Sequence, residues 1–143
     1  MKRNMLILVH VEDSFRKFFP KMYVQRLIRS CKSSKYNKII HMTSHIDSDE
    51  PIKEIRKFID QEIDWAWGYE PFFFEDDEDE KCWVVEHGGI HEYTWVPPEF
   101  RNNLLSNYNV FLGGGYHGEC LADMEEVLKY LETNYTLVHG LVY

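Results

Sequence analysis

Apolar positions in this chain fall into short continuous runs that alternate with stretches of helical spacing. Residues 5–11, Met-Leu-Ile-Leu-Val-His-Val, are unbroken except at His10. That is the pattern of a strand covered on both faces of a parallel sheet, where a half-exposed strand would alternate. Beyond it, Phe19, Met22, Tyr23, Leu27 and Ile28 recur at helical spacing with Arg26, Arg29 and Lys32 between them. This predicts a helix starting near Pro20, a residue tolerated in a first turn. Residues 38–42 predict a second strand. Asp49-Glu-Pro51 then predicts the start of a helix that carries Ile52, Ile55, Phe58, Ile59 and Ile63 on one face.

The middle of the chain breaks this rhythm. Residues 65–74 are dense in aromatics without a period, and 75–80 are six consecutive acids, which together read as a long excursion ending in a solvated acidic loop. A third strand is expected over 81–86, a helix from Pro97-Pro98 through Leu105, and a fourth strand over 109–113. An amphipathic helix over 119–133 presents Leu121, Met124, Val127, Leu128 and Leu131, and a last strand closes the chain over 136–143. Strands alternating with helices predict an α/β fold of three layers, a mainly parallel sheet of five or more strands flanked by helices. A length of 143 residues fits a single domain over the whole chain, given the usual ~100 to 200 residues per domain.

Composition narrows the function classes. Sixteen Lys and Arg against 24 Asp and Glu give a net charge of -8, the wrong sign for a nucleic-acid surface or an anionic membrane. No run approaches the ~18 apolar residues of a membrane span, and the apolar start lacks a small-residue cleavage site. Cys31, Cys82 and Cys120 form no CxxC pair, so neither a disulfide framework nor a thiolate zinc site is written, and a reducing, cytoplasmic setting is expected. A small molecule is the expected partner.

In open α/β sheets ligands bind beyond the carboxyl ends of the strands. The residues there are His10, Glu12, Asp13 and Phe15, then His41, Thr43, His45 and Asp47, then Glu86, His87 and His91, then Gly113-Gly-Gly-Tyr-His-Gly-Glu-Cys120. The last segment runs a strand through a glycine-rich turn into a cysteine at a helix start. A thiolate there is stabilised by the helix dipole, which makes Cys120 the candidate nucleophile. Packing under the helix as a small apolar residue is the alternative. Cys31 and Cys82 read as core. The glycine turn also suits a phosphate at a helix N-terminus, although the loop after the first strand has no glycine. His41-Met-Thr43 matches one half of a two-histidine phosphoesterase motif, and a second copy is absent.

Leu6-Ile-Leu-Val-His-Val-Glu-Asp-Ser-Phe15 and Val110-Phe-Leu-Gly-Gly-Gly-Tyr-His-Gly-Glu-Cys120 resemble the first-strand motif, LLVIDxQxxF, and the fourth-strand motif, an apolar strand followed by GxxxxxC, of the isochorismatase-like cysteine hydrolases, which include the nicotinamidases. The resemblance implies a nucleophilic Cys120, a cis peptide at Gly115-Tyr116, and an oxyanion hole from the backbone N–H groups of Tyr116 and Cys120. The family's general-base aspartate falls on His10 and its lysine on Glu86 or the adjacent His87, so the catalytic set here is Cys120, His10 and Glu86, a workable Cys–His–carboxylate triad. For His10, a core or strand-end histidine is the alternative. Tyr116, His117, Gly115, Phe15, Asp13 and His87 are the candidate substrate contacts, with Asp13 also suited to cap the following turn.

Nicotinamidases hold a metal after the second strand, where His45 and Asp47 stand here. No cofactor is required, and Zn or another divalent ion is the candidate metal. His87-Gly-Gly-Ile-His91 has helical ligand spacing, but its glycines argue for a loop lining the cleft. Family members commonly oligomerise, so a homo-oligomer is expected, with Trp65, Trp67 and Phe72 to Phe74 as a lid, stacking wall or interface. The expected activity is hydrolysis of a small amide, ester or enol ether. The alternative is a catalytically inactive binding protein for a small aromatic or nucleotide-like ligand.

Overall fold

The computed structural model describes residues 2–43, 50–64, 83–86, 89–94, 107–130 and 132–143. Their strands and helices, in chain order, are β1 (Arg3–Val9), α1 (Tyr23–Lys32), β2 (Lys38–Thr43), β3 (Gln61–Asp64), β4 (Trp83–Glu86), β5 (Gly89–Thr94), β6 (Tyr108–Gly114), α2 (Cys120–Tyr130) and β7 (Tyr135–Val142). Five strands form one sheet in the order β3-β2-β1-β6-β7, and every neighbouring pair is parallel.

The central strand explains its own sequence. Successive side chains of a strand point to opposite faces, and both faces of β1 are dry. Met5, Ile7 and Val9 pack with Leu121, Met124, Val127 and Leu128 of α2. Leu6 and Leu8 pack with Tyr23, Leu27 and Cys31 of α1 and with Ile52 and Ile55. Each such side chain contributes ~1.5 to 3 kcal/mol of burial, so no polar residue is tolerated on either side of the run. The result is a three-layer α/β architecture with a parallel sheet between helices. In α1, Tyr23, Leu27 and Cys31 form the buried stripe, while Arg29 and Lys32 in the last turn complement the helix dipole. Residues Asp13–Phe18 form a 3-10 turn ahead of it. Among the described residues no helix is long and apolar enough to cross a membrane.

Two expected elements differ. The helix expected from Pro51 is absent: Pro51 bridges to Glu12, Ile52 N–H donates to Val11 O at 3.0 Å, a 3-10 turn covers Arg56–Phe58, and 61–64 is the edge strand β3. Ile52 and Ile55 are buried, but an i, i+3 pair fits a short turn as well as an α-helix. Pairing then decides: Asp60 N–H donates to Ile39 O at 2.9 Å and Asp60 Oδ2 accepts from Ile39 N–H at 2.8 Å, delivering the chain to the edge of β2.

The strand expected over 81–86 exists from Trp83, yet it stands outside the main sheet. It pairs antiparallel with β5 in a separate two-stranded sheet, whose backbone lies against α2. An apolar run does not specify which partner it takes, whereas Gly88-Gly89 beside it is a turn signal. His91 therefore lies in a strand rather than a loop. The aromatic and acidic excursion over 65–80 and the helix expected from Pro97 lie outside the described residues.

Candidate functional site

The sheet order places a switch point between β1 and β6: from β1 the chain winds outward through β2 and β3 on one side, and β6 and β7 occupy the other. At such a point the connections diverge and leave a crevice at the carboxyl ends of the strands. His10 directly follows β1, and the Gly115–Glu119 turn leads from β6 into Cys120, the first residue of α2. Val9 and Gly114 are register partners, so the two segments leave the sheet side by side.

Glycine is required at that point. Gly114 has φ +96°, and a Cβ on it would lie 2.1 Å from Val9 O. Its neighbour Gly115 donates its N–H to Val9 O at 2.9 Å, and the Gly115–Tyr116 peptide is cis, at the position the resemblance implies. The turn then folds onto α2, with Tyr116 O accepting from Glu119 N–H at 3.0 Å and from Leu121 N–H at 3.2 Å. Cys120 is almost fully buried and joins the core cluster that includes Val9 and Met42. Its place at the helix start and its packing in the core thus hold together.

His10 is buried, at 1% exposure, and its backbone is left-handed, with φ +53°. Its N–H donates to Met42 O at 3.0 Å, its carbonyl accepts the Tyr143 hydroxyl, and its ring lies 5.5 Å from that of Phe15. Phe15 begins a row of rings along the crevice: Phe18 is 6.4 Å from Phe15, Tyr116 is 5.7 Å from Phe18, and His117 stacks on Tyr116 at 4.7 Å. Phe18 and Tyr116 are exposed, and so is His117. Asp13 points to Arg16, whose Nε donates to its Oδ1 at 2.7 Å. Glu86 ends β4 and pairs with Gly89 in the hairpin. His87, His45 and Asp47 lie outside the described residues. Among the described residues no group of three or more His, Cys, Asp or Glu side chains is placed to hold a metal ion.

Beside the candidate set stands a buried polar pair of strand-end residues, of which sequence reading weighed only His41, as one half of a phosphoesterase motif. His41 and Glu12 both have no exposed surface, and Glu12 Oε1 lies 3.8 Å from His41 Nε2. Val11 N–H donates to His41 Nε2 at 3.2 Å, so that nitrogen carries no hydrogen, and Nδ1–H donates to Glu62 Oε1 at 3.1 Å. His41 thereby pins the backbone between His10 and Glu12. The advance signal was an acid immediately after the apolar run of residues 5–11.

The hydrogen bond from His41 holds the Glu62 carboxyl below the ordinary glutamate range. A lowered carboxylate pKa contributes stability that is present above its unfolded value and lost as pH falls through the folded one. The carboxylate side is half exposed, which limits the effect to under about 1 kcal/mol. Glu62→Gln should therefore lower the unfolding midpoint slightly near neutral pH, and the gap should close in acid. A gap that widens on acidification would contradict the assignment.

No protein-family model matches the chain, and neither a curated protein nor a solved structure matches it.

Proposed function

We propose that the chain is a cytoplasmic, isochorismatase-like cysteine hydrolase acting on a small amide, ester or enol-ether substrate. The observation that carries this reading is the placement of His10 directly after β1 and of Cys120 at the end of the turn that follows β6, the two strands that flank the switch point of the sheet. In the reading, for an amide or ester, His10 takes the proton of Cys120 as the sulfur attacks the substrate carbonyl and returns it to the departing amine or alcohol. Water then cleaves the thioester. The backbone N–H groups of Tyr116 and Cys120 receive the oxyanion, and Glu86 orients His10 or the substrate. The ring row from Phe15 to His117 supplies an apolar wall, and Asp13 and His87 are the further candidate substrate contacts. No cofactor is needed for these steps. His45 and Asp47 are the residues that would hold Zn or another divalent ion.

A thiol reagent tests the nucleophile without a known substrate. Iodoacetamide at neutral pH should label Cys120 while leaving Cys31 intact, because burial pushes the Cys31 thiol up to about 12 and leaves on the order of one thiolate in 10^5. Peptide mapping that finds Cys31 or Cys82 modified as fast as Cys120 in the folded protein would count against the assignment. A panel of small amides and esters then tests turnover.

The exposed rings Phe18 and Tyr116 favour one second reading, a catalytically inactive protein that binds a small aromatic or nucleotide-like ligand. Saturable binding of such a ligand without turnover of any panel member would select it.

A further inference from the structure

We propose that Tyr143 is a positioning residue of this site, fixing His10 relative to the turn that carries Cys120. This rests on the pairing of His10 with Cys120 in the hydrolase reading. A non-glycine residue with positive φ is uncommon and persists where its surroundings enforce it. His10 is such a residue. Both of its backbone polar groups are engaged: the N–H by Met42 O at 3.0 Å, the carbonyl by the Tyr143 hydroxyl.

The backbone of the same tyrosine grips the other side of the crevice. Tyr143 N–H donates to Gly114 O at 3.1 Å, and Tyr143 O accepts from His117 N–H at 2.6 Å. Its ring is buried between Phe19, at 4.9 Å, and Tyr23, at 5.4 Å. It lies over Gly115, where a Cβ would approach the ring to 2.6 Å. The sheet register explains how Tyr143 arrives there. Leu112 pairs with Leu137 but Gly114 pairs with Val142, so β7 advances further than β6 over the last step, and such an irregularity re-aims the strand end. One residue thus ties the backbone after β1 to the turn after β6.

A purely structural tyrosine provides the comparison. Tyr23 lies in the same ring cluster and donates its hydroxyl to Leu141 O at 2.6 Å, a similar bond that does not involve His10. The full chain is compared as wild type, Tyr143→Phe and Tyr23→Phe, each checked for its unfolding midpoint. Two readouts are taken: the ring nitrogen signals of His10, assigned with His10→Asn, and the rate of Cys120 alkylation by iodoacetamide. Tyr143→Phe should move the His10 signals and slow alkylation at least about tenfold, since small displacements of a reacting group are costly. Tyr23→Phe should leave both unchanged at a similar loss of stability. Tyr143→Phe that matches Tyr23→Phe in both readouts overturns the proposal. If wild-type Cys120 reacts no faster than the same thiol in the denatured chain, the hydrolase reading fails. The His10 signals then decide for Tyr143 alone: movement supports the positioning role, and no movement overturns it.

Discussion

Gly114→Ala is expected to cost more than about 4 kcal/mol and to leave little folded protein, a loss comparable to the whole stability of a marginal domain. Two effects add. The residue has φ +96°, and its Cβ would stand 2.1 Å from Val9 O and 2.4 Å from Val9 N, inside the backbone of the central strand rather than against a side chain that can move. Relief would require β6 to separate from β1 at the register that brings Val9 opposite Gly114, directly beneath the candidate site. Gly118→Ala provides the contrast, because its φ is +74° but nothing lies within 4 Å of the added carbon. It should cost only about 1 to 2 kcal/mol, the conformational term alone. Denaturant unfolding of both variants checks the pair. Gly114→Ala folding with a midpoint near that of Gly118→Ala would mean that the two strands do not meet as described.

The parts of the fold that could be read in advance are those where burial acts on both faces of an element. The unbroken run from Met5 reads as a central parallel strand because Leu6 and Leu8 serve one helix layer while Met5, Ile7 and Val9 serve the other. The stripe through Leu121, Met124, Val127 and Leu128 reads as a helix for the same reason. What escaped was decided by pairing. Ile52 and Ile55 suited a helix, yet the hydrogen bonds of Asp60 with Ile39 turn the following residues into an edge strand, and hydrophobic periodicity carries no term for that choice. At the site, the glycine turn, His10 and Cys120 were legible as strand-end residues. Tyr143 was not, because an aromatic ending a strand reads as core, and its hydroxyl and backbone bonds depend on an irregular register that only the assembled sheet reveals.

On the hydrolase proposal, hydrolysis should collapse by on the order of 10^3-fold or more in Cys120→Ala and by a similar factor in a His10 variant, with the double variant scarcely worse than either, because members of one catalytic device are not additive. The choice of His10 variant matters. His10 is left-handed, with φ +53°, and asparagine tolerates that region better than alanine does. His10→Asn therefore removes the imidazole while preserving the backbone that Met42 and Tyr143 hold. Replacing the buried ring also opens space, so unfolding midpoints must accompany the rates and show that most of the chain is folded at the assay temperature. With that established, kcat on the best amide or ester of the panel decides. Losses that multiply in the double variant would mean that His10 and Cys120 act separately. Turnover that survives Cys120→Ala would remove the nucleophile from the mechanism. A crevice that only binds makes a different pattern: both substitutions leave ligand affinity within about 1 to 2 kcal/mol of wild type, since truncating a single contact rarely costs more unless a buried polar partner is stranded.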